Sequence, residues 1–125
     1  PQDEWFVSAD LEMEFGNAQA ARADIRDLLA RRSATQPTQQ PSCGSVFRNP
    51  PGEHAARLIE TAGLKGRAIG GACVSEKHAN FIINTGTATA SDLESLIVLI
   101  QETVDRQHGI RLQTEVRIVG ERVQS

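Results

Sequence analysis

The chain has 125 residues, a formal net charge of -3 and 23% charged residues, the profile of one ordinary folded domain, or one domain with part of another, rather than a disordered tail. Acidic and basic residues are interspersed, so the basic stripe of a nucleic-acid binder is missing, and the longest apolar runs, such as residues 97–100, are far too short to span a bilayer. Cys43 and Cys73 do not stand at metal-ligand spacing, which predicts no metal site and reduced thiols in a cytoplasmic protein rather than a disulfide-dense secreted fold.

Residues 1–4 lead straight into Trp5-Phe6-Val7 with no initiator Met, and the chain is expected to be part of something larger. From Val7 to Phe15 apolar and polar residues alternate, which predicts a strand with one wet face. A helix is predicted over 17–32, with Asn17 as its N-cap and Ala18, Ala21, Ile25, Leu28 and Leu29 as its apolar stripe. Residues 33–42, with two prolines and three glutamines, read as a loop or linker and as the boundary between two units.

Beyond it, Gly44-Ser45 permits a tight turn, and Pro50-Pro51 stiffens the exit. Residues 54–62 form a helix closed by Gly63. Residues 63–72 carry four glycines and suggest tight turns or close backbone approach. Short strands follow at 72–74 and 80–84. A strong helix starts at Ser91-Asp92, where Ser91 and Glu94 have capping-box spacing, and Gly109 stops it. A last strand is predicted over 110–119. The order implies an α+β fold with a mixed sheet and helices packed mainly on one side.

Among residues able to do chemistry, Ser45 is either a turn residue or a hydroxyl held for proton donation. A nucleophile elbow needs a second glycine two places on, where Phe47 stands, so a serine hydrolase is disfavoured. Glu115 is either a solvated carboxylate on an amphipathic strand or a carboxyl projecting into a cleft. Arg48, Asn49, Lys65, Arg67, His78 and Asn80 surround glycine-rich turns and together could grip an anion, although each alone reads as a surface residue.

The run PSCGSVFRNP, then HAARLIETAGLKG, IGGACVSEKHANFIIN, ATASDLESLI and LQTEVRIVG, resembles in order and spacing the UDP-N-acetylenolpyruvoylglucosamine reductase (MurB) family. The preceding ADLEMEF and the helix ending in ARR fit as well. The resemblance implies a C-terminal, substrate-binding part of a flavoenzyme that uses FAD and NADPH to reduce UDP-N-acetylglucosamine enolpyruvate to UDP-N-acetylmuramate in peptidoglycan precursor synthesis. It implies Ser45 as proton donor, Glu115 as the catalytic carboxylate, and Asn49, Lys65, His78 and Arg48 as substrate-binding residues. It further implies that residues 1–41 end a flavin-binding region with its linker, 42–109 form the substrate domain, and 110–125 return toward the flavin-binding body. Most flavin contacts would then lie outside this chain, which alone would be inactive.

The short path after Pro50 is similar to the subfamily without a long insertion there (type II). The family's lysine just before Gln-Pro is replaced by Thr35, and Arg31, Arg32 or Arg48 would have to stand in for it. The strand over 7–15, without sheet neighbours, is expected to expose an apolar side and favour self-association. The alternative to catalysis is a stand-alone nucleotide-sugar binding or interaction module.

Overall fold

The computed structural model describes residues 5–120. The domain expectations at 1–4 and 121–125 lie outside the described residues. The chain divides into two compact units, one ending at Arg31 and the other beginning at Arg32.

In the first unit the alternating segment 7–15 is not a strand; it is irregular and exposed throughout. Alternation specifies which face a strand buries, but a strand forms only where a neighbour accepts its backbone hydrogen bonds, and none is present among the described residues. The apolar side chains Val7, Leu11, Met13 and Phe15 are exposed as expected, while nothing in the structure supports the expected self-association through a strand edge. Helix α1, Ala18–Thr35, starts where predicted. The Asn17 carboxamide oxygen accepts from the Gln19 and Ala20 amides at 2.9 and 3.0 Å, satisfying donors that the helix leaves free. The helix runs three residues beyond the expected end, and none of its residues is buried.

The second unit holds the core. Residues 36–41 form a compact turn rather than an open tether: the Thr38 amide donates to Gln36 and the Gln40 amide to Pro37. Helix α2, Ala55–Thr61, buries Ala55, Leu58 and Ile59 at three- and four-residue spacing. Three short strands follow, β1 (Ala68–Ile69), β2 (Ala72–Val74) and β3 (Ile82–Asn84), in the order β1-β2-β3. Both pairings are antiparallel, so the expected mixed sheet is corrected. The connections are too short for the crossover that parallel neighbours need. Gly71 permits the tightest backbone-to-backbone approach, because a Cβ there would overlap the backbone of Thr87 and Ala88.

Helix α3, Ala90–His108, buries Leu96, Ile97, Ile100, Thr103 and Val104. Its capping box is Thr89 with Asp92, two residues before the expected Ser91 and Glu94. The Asp92 carboxylate receives the amides of Thr89 (2.9 Å) and Gly71 (3.3 Å), so one side chain both caps α3 and fixes the β1–β2 turn. Gly109, in the left-handed region at φ 65°, ends the helix as predicted.

The last segment is not a regular strand: it makes one antiparallel bridge, Thr114 to Phe47. The Gln101 side chain donates to the Leu112 carbonyl at 2.8 Å, occupying an acceptor that a ladder would otherwise use. Ala72, Val74 and Ile82 from the sheet join Ala55, Leu58, Ile59, Leu96, Ile100, Val104, Val46, Phe47 and Leu112 in one core, giving a small α+β unit.

Candidate functional site

The Gly44-Ser45 loop is held from beneath by a buried asparagine. Asn80 is 4% exposed. Its carboxamide oxygen accepts from the Phe47 amide (3.0 Å), its nitrogen donates to the Phe47 carbonyl (2.8 Å), and its own carbonyl accepts from Val46 (2.9 Å). Phe47 and Val46 are inserted in the core, so both flanking residues after Ser45 are fixed while Ser45 itself remains exposed.

The last segment lies against this loop. The Glu115 amide donates to the Val46 carbonyl at 2.8 Å, and the Arg48 amide donates to Gln113 at 2.9 Å. Glu115 is thereby placed on the backbone segment directly alongside the one that carries Ser45. Its carboxylate meets the Arg48 guanidinium at 3.2 Å, with both side chains more than half exposed. An exposed pair of this kind contributes little to stability, but it fixes a carboxylate and a cation at the edge of the Ser45 loop.

The other candidates divide. The Asn49 carboxamide oxygen accepts from the Ala55 amide at 3.0 Å, so its side chain serves the start of α2. Lys65 is ion-paired to Glu60 at 2.8 Å, at the end of α2. His78 packs edge-on against Phe81, ring centroids 4.8 Å apart, and its Nδ1 accepts from the Asn80 amide at 3.3 Å. It sits in the β2–β3 turn that carries the Asn80 clamp. Ser45, Arg48 and Glu115 are thus brought together, His78 and Asn49 support the scaffold near them, and Lys65 is engaged elsewhere.

The second unit carries two grooves. One, of about 300 Å³, is lined mainly by Cys43, Val46, Leu93, Ile97, Val116 and Ile118. The other, of about 280 Å³, is lined by Ser33, Pro37, Thr38, Gln39, Gln40 and Lys77. The sequence reading missed Lys77 and took Asn80 for a surface amide. The sign for Asn80 was its place next to the apolar run Phe81-Ile82-Ile83, where a polar side chain must find partners inside.

Elsewhere, burial pushes the Cys73 thiol up, helped by the nearby Glu76 carboxylate. The Arg57 guanidinium holds the Glu53 carboxyl down. No group of three His, Cys, Asp or Glu residues is placed to hold a metal among the described residues, and no described helix is long and apolar enough to cross a membrane.

The sequence profile of the UDP-N-acetylenolpyruvoylglucosamine reductase C-terminal domain matches residues 36–119. The reductase of Methylococcus capsulatus (strain Bath) is 62% identical over 121 residues, covering 97% of this chain and 40% of that protein. That of Alkalilimnicola ehrlichii is 61% identical over 121 residues, covering 97% and 41%. The crystal structure of the Thermus caldophilus reductase superposes with a TM-score of 0.63 at 34% identity, over 79% of this chain and 34% of that one. The chain therefore spans about 40% of the length of these curated relatives. Its motifs, its small α+β unit and this match together establish that the chain belongs to the UDP-N-acetylenolpyruvoylglucosamine reductase family.

Proposed function

We propose that this chain is the substrate-binding and proton-donating part of a cytoplasmic bacterial oxidoreductase that reduces UDP-N-acetylglucosamine enolpyruvate to UDP-N-acetylmuramate, with FAD as cofactor and NADPH as reductant. One observation carries the reading: the Glu115 amide bonds to the carbonyl of the residue after Ser45, so the backbone segments that carry the two candidate groups run side by side.

Saturating the enolpyruvyl double bond takes a hydride at one carbon and a proton at the other. The residues of this chain bear on the proton. Negative charge developing on the carbon beside the carboxylate is discharged by a hydroxyl within hydrogen-bond reach, the part assigned to Ser45. Glu115, oriented by Arg48 at 3.2 Å, assists that proton transfer. Asn80 holds the loop so that the Ser45 hydroxyl is positioned before the substrate arrives.

The described residues do not by themselves fit FAD. That dinucleotide needs an apolar slot for its ring joined to donors for its diphosphate. The apolar groove carries one cation, Arg117, and the polar groove carries Lys77, and the two are separate. No hydride step is therefore assigned to these residues.

The test is Ser45→Ala in the full-length protein. Flavin reduction by NADPH should be unchanged, and reoxidation by the enolpyruvyl compound should slow by roughly 10²–10⁴-fold, the scale of a lost general acid. Reoxidation at the wild-type rate would refute the role.

A further inference from the structure

Gln101 interrupts the buried stripe of α3. It stands four residues after Ile97 and three before Val104, the spacing that puts side chains on one face of a helix, and both of those are buried. Gln101 is itself half-buried. Its side chain donates to the Leu112 carbonyl at 2.8 Å. Leu112 is 1% exposed, so water does not reach that carbonyl, and without an internal donor it would be a buried orphan.

Leu112 begins the stretch that carries Glu115, three residues on and at most about 11 Å along the chain. One bridge, Thr114 to Phe47, pairs this stretch with the Ser45 side, flanked by the Arg48 amide to Gln113 and the Glu115 amide to Val46. These bonds lie on one edge and are all backbone. Side chains of a paired segment repeat every two residues, so a slide of two would preserve the pairing and set Gln113 or Arg117 where Glu115 stands. Neither carries a carboxylate. Burial alone resists such a slide weakly, because Ile110 and Leu112 are both apolar. Gln101 resists it from the other side: it ties Leu112 to a helix that ends at His108, with only residues 109–111 between.

The Ser45 loop and the Glu115 segment therefore have separate anchors. Asn80 holds the first and Gln101 holds the second. In each case a carboxamide takes the place of a strand neighbour.

We propose that Gln101 is a positioning residue for the proton-transfer step, acting through Glu115 by setting where its backbone lies against the Ser45 loop. The proposal rests on the reading that Glu115 assists that transfer, and it says what holds the carboxylate in place.

Single-turnover flavin reoxidation in the full-length protein tests this in Gln101→Met, Glu115→Gln and the double variant. Methionine keeps the helix propensity and an unbranched, adaptable side chain, and it removes the donor. Gln101→Met should slow reoxidation by the enolpyruvyl compound about 10–100-fold, the scale of a misplacement of about 1 Å, and leave flavin reduction by NADPH unchanged. Gln101→Asn draws the amide back by one bond and should behave in the same way. Gln101→Lys keeps a donor on a flexible stem and should recover most of the loss. In the Glu115→Gln background the methionine should cost less than about twofold, because a residue that acts through another has nothing left to act on. Wild-type reoxidation in Gln101→Met and Gln101→Asn overturns the proposal. So does an equal slowing with and without Glu115, which marks a general loosening of the fold. Glu115→Gln that reoxidises at the wild-type rate overturns the assignment of Glu115, and the proposal with it.

Discussion

The side-chain amide of Asn80 takes both backbone hydrogen bonds of Phe47, 33 positions earlier in the chain. It replaces a strand neighbour: one carboxamide does for the Ser45 loop what a ladder does for a sheet. Replacing it with leucine would leave the Phe47 N–H and C=O unpaired in the interior. The expected cost is about 2–6 kcal/mol, since each of the two buried orphans costs roughly 1–3 kcal/mol. Urea denaturation of Asn80→Leu should show it as a lower midpoint with an unchanged slope.

Glu115 should behave in the opposite way. Its ion pair with Arg48 is more than half exposed on both sides, and such pairs contribute about 0–1 kcal/mol. Glu115→Gln is expected to unfold within that range of the wild type while slowing substrate reduction by the full-length protein. Calorimetric melting beside a single-turnover assay separates the two effects. A large loss of stability with normal turnover would mark Glu115 as a structural residue.

Asp92 gives the second unit an acid limit. The amides of Thr89 and then Gly71 hold its carboxyl below the usual value of 3.8. A carboxyl with a depressed folded-state pKa contributes stability that is fully present above its unfolded value and is lost as pH falls through the folded one. Asp92→Asn should therefore be less stable than the wild type at neutral pH, and the gap should close in acid below about pH 4. Urea midpoints measured across that range would show parallel curves if the carboxylate had no such role.

Gly71 is the position least able to accept a side chain. A Cβ there would strike the backbone of Thr87 and Ala88, which is less yielding than a side-chain tip. Gly71→Ala is expected to destabilise by about 1–3 kcal/mol, the scale of an overpacked interior. Gly86, where an added Cβ meets nothing within 4 Å, serves as a comparison that separates crowding from backbone strain. Thermal unfolding of both variants reads the difference.

The helices were legible from the sequence because their signals are local. Asn17, Gly63 and Gly109 punctuate α1, α2 and α3 where expected, and three- and four-residue spacing marks the buried faces of α2 and α3. The strands were less legible because they depend on partners. Residues 7–15 alternate as cleanly as any strand and form none, for want of a neighbour. Residues 110–119 also alternate, yet make one bridge, Thr114 to Phe47, while Gln101 holds the Leu112 carbonyl.

The α3 cap was displaced by two residues because Ser91 and Thr89 offer the same spacing. The contact that decides between them, Asp92 to the Gly71 amide, spans 21 residues. The proximity of the Ser45 and Glu115 segments came from resemblance to a family, not from periodicity. Lys77 was hidden because a lysine in a polar turn looks solvated until the groove beside it is known.

The seven positions from Ser75 to Phe81 serve as a common gauge, with Asn80 set against the Ser45 loop at one end and Lys77 toward the polar groove at the other. An extra residue between Lys77 and Asn80 would lengthen the turn that joins the two and shift one relative to the other. The turn after Pro50 has no such duty: its main tie is the Glu53 amide to the Pro50 carbonyl, and Pro51 and Gly52 are exposed. Variation in chain length should therefore accumulate after Pro50 and be nearly absent between Ser75 and Phe81.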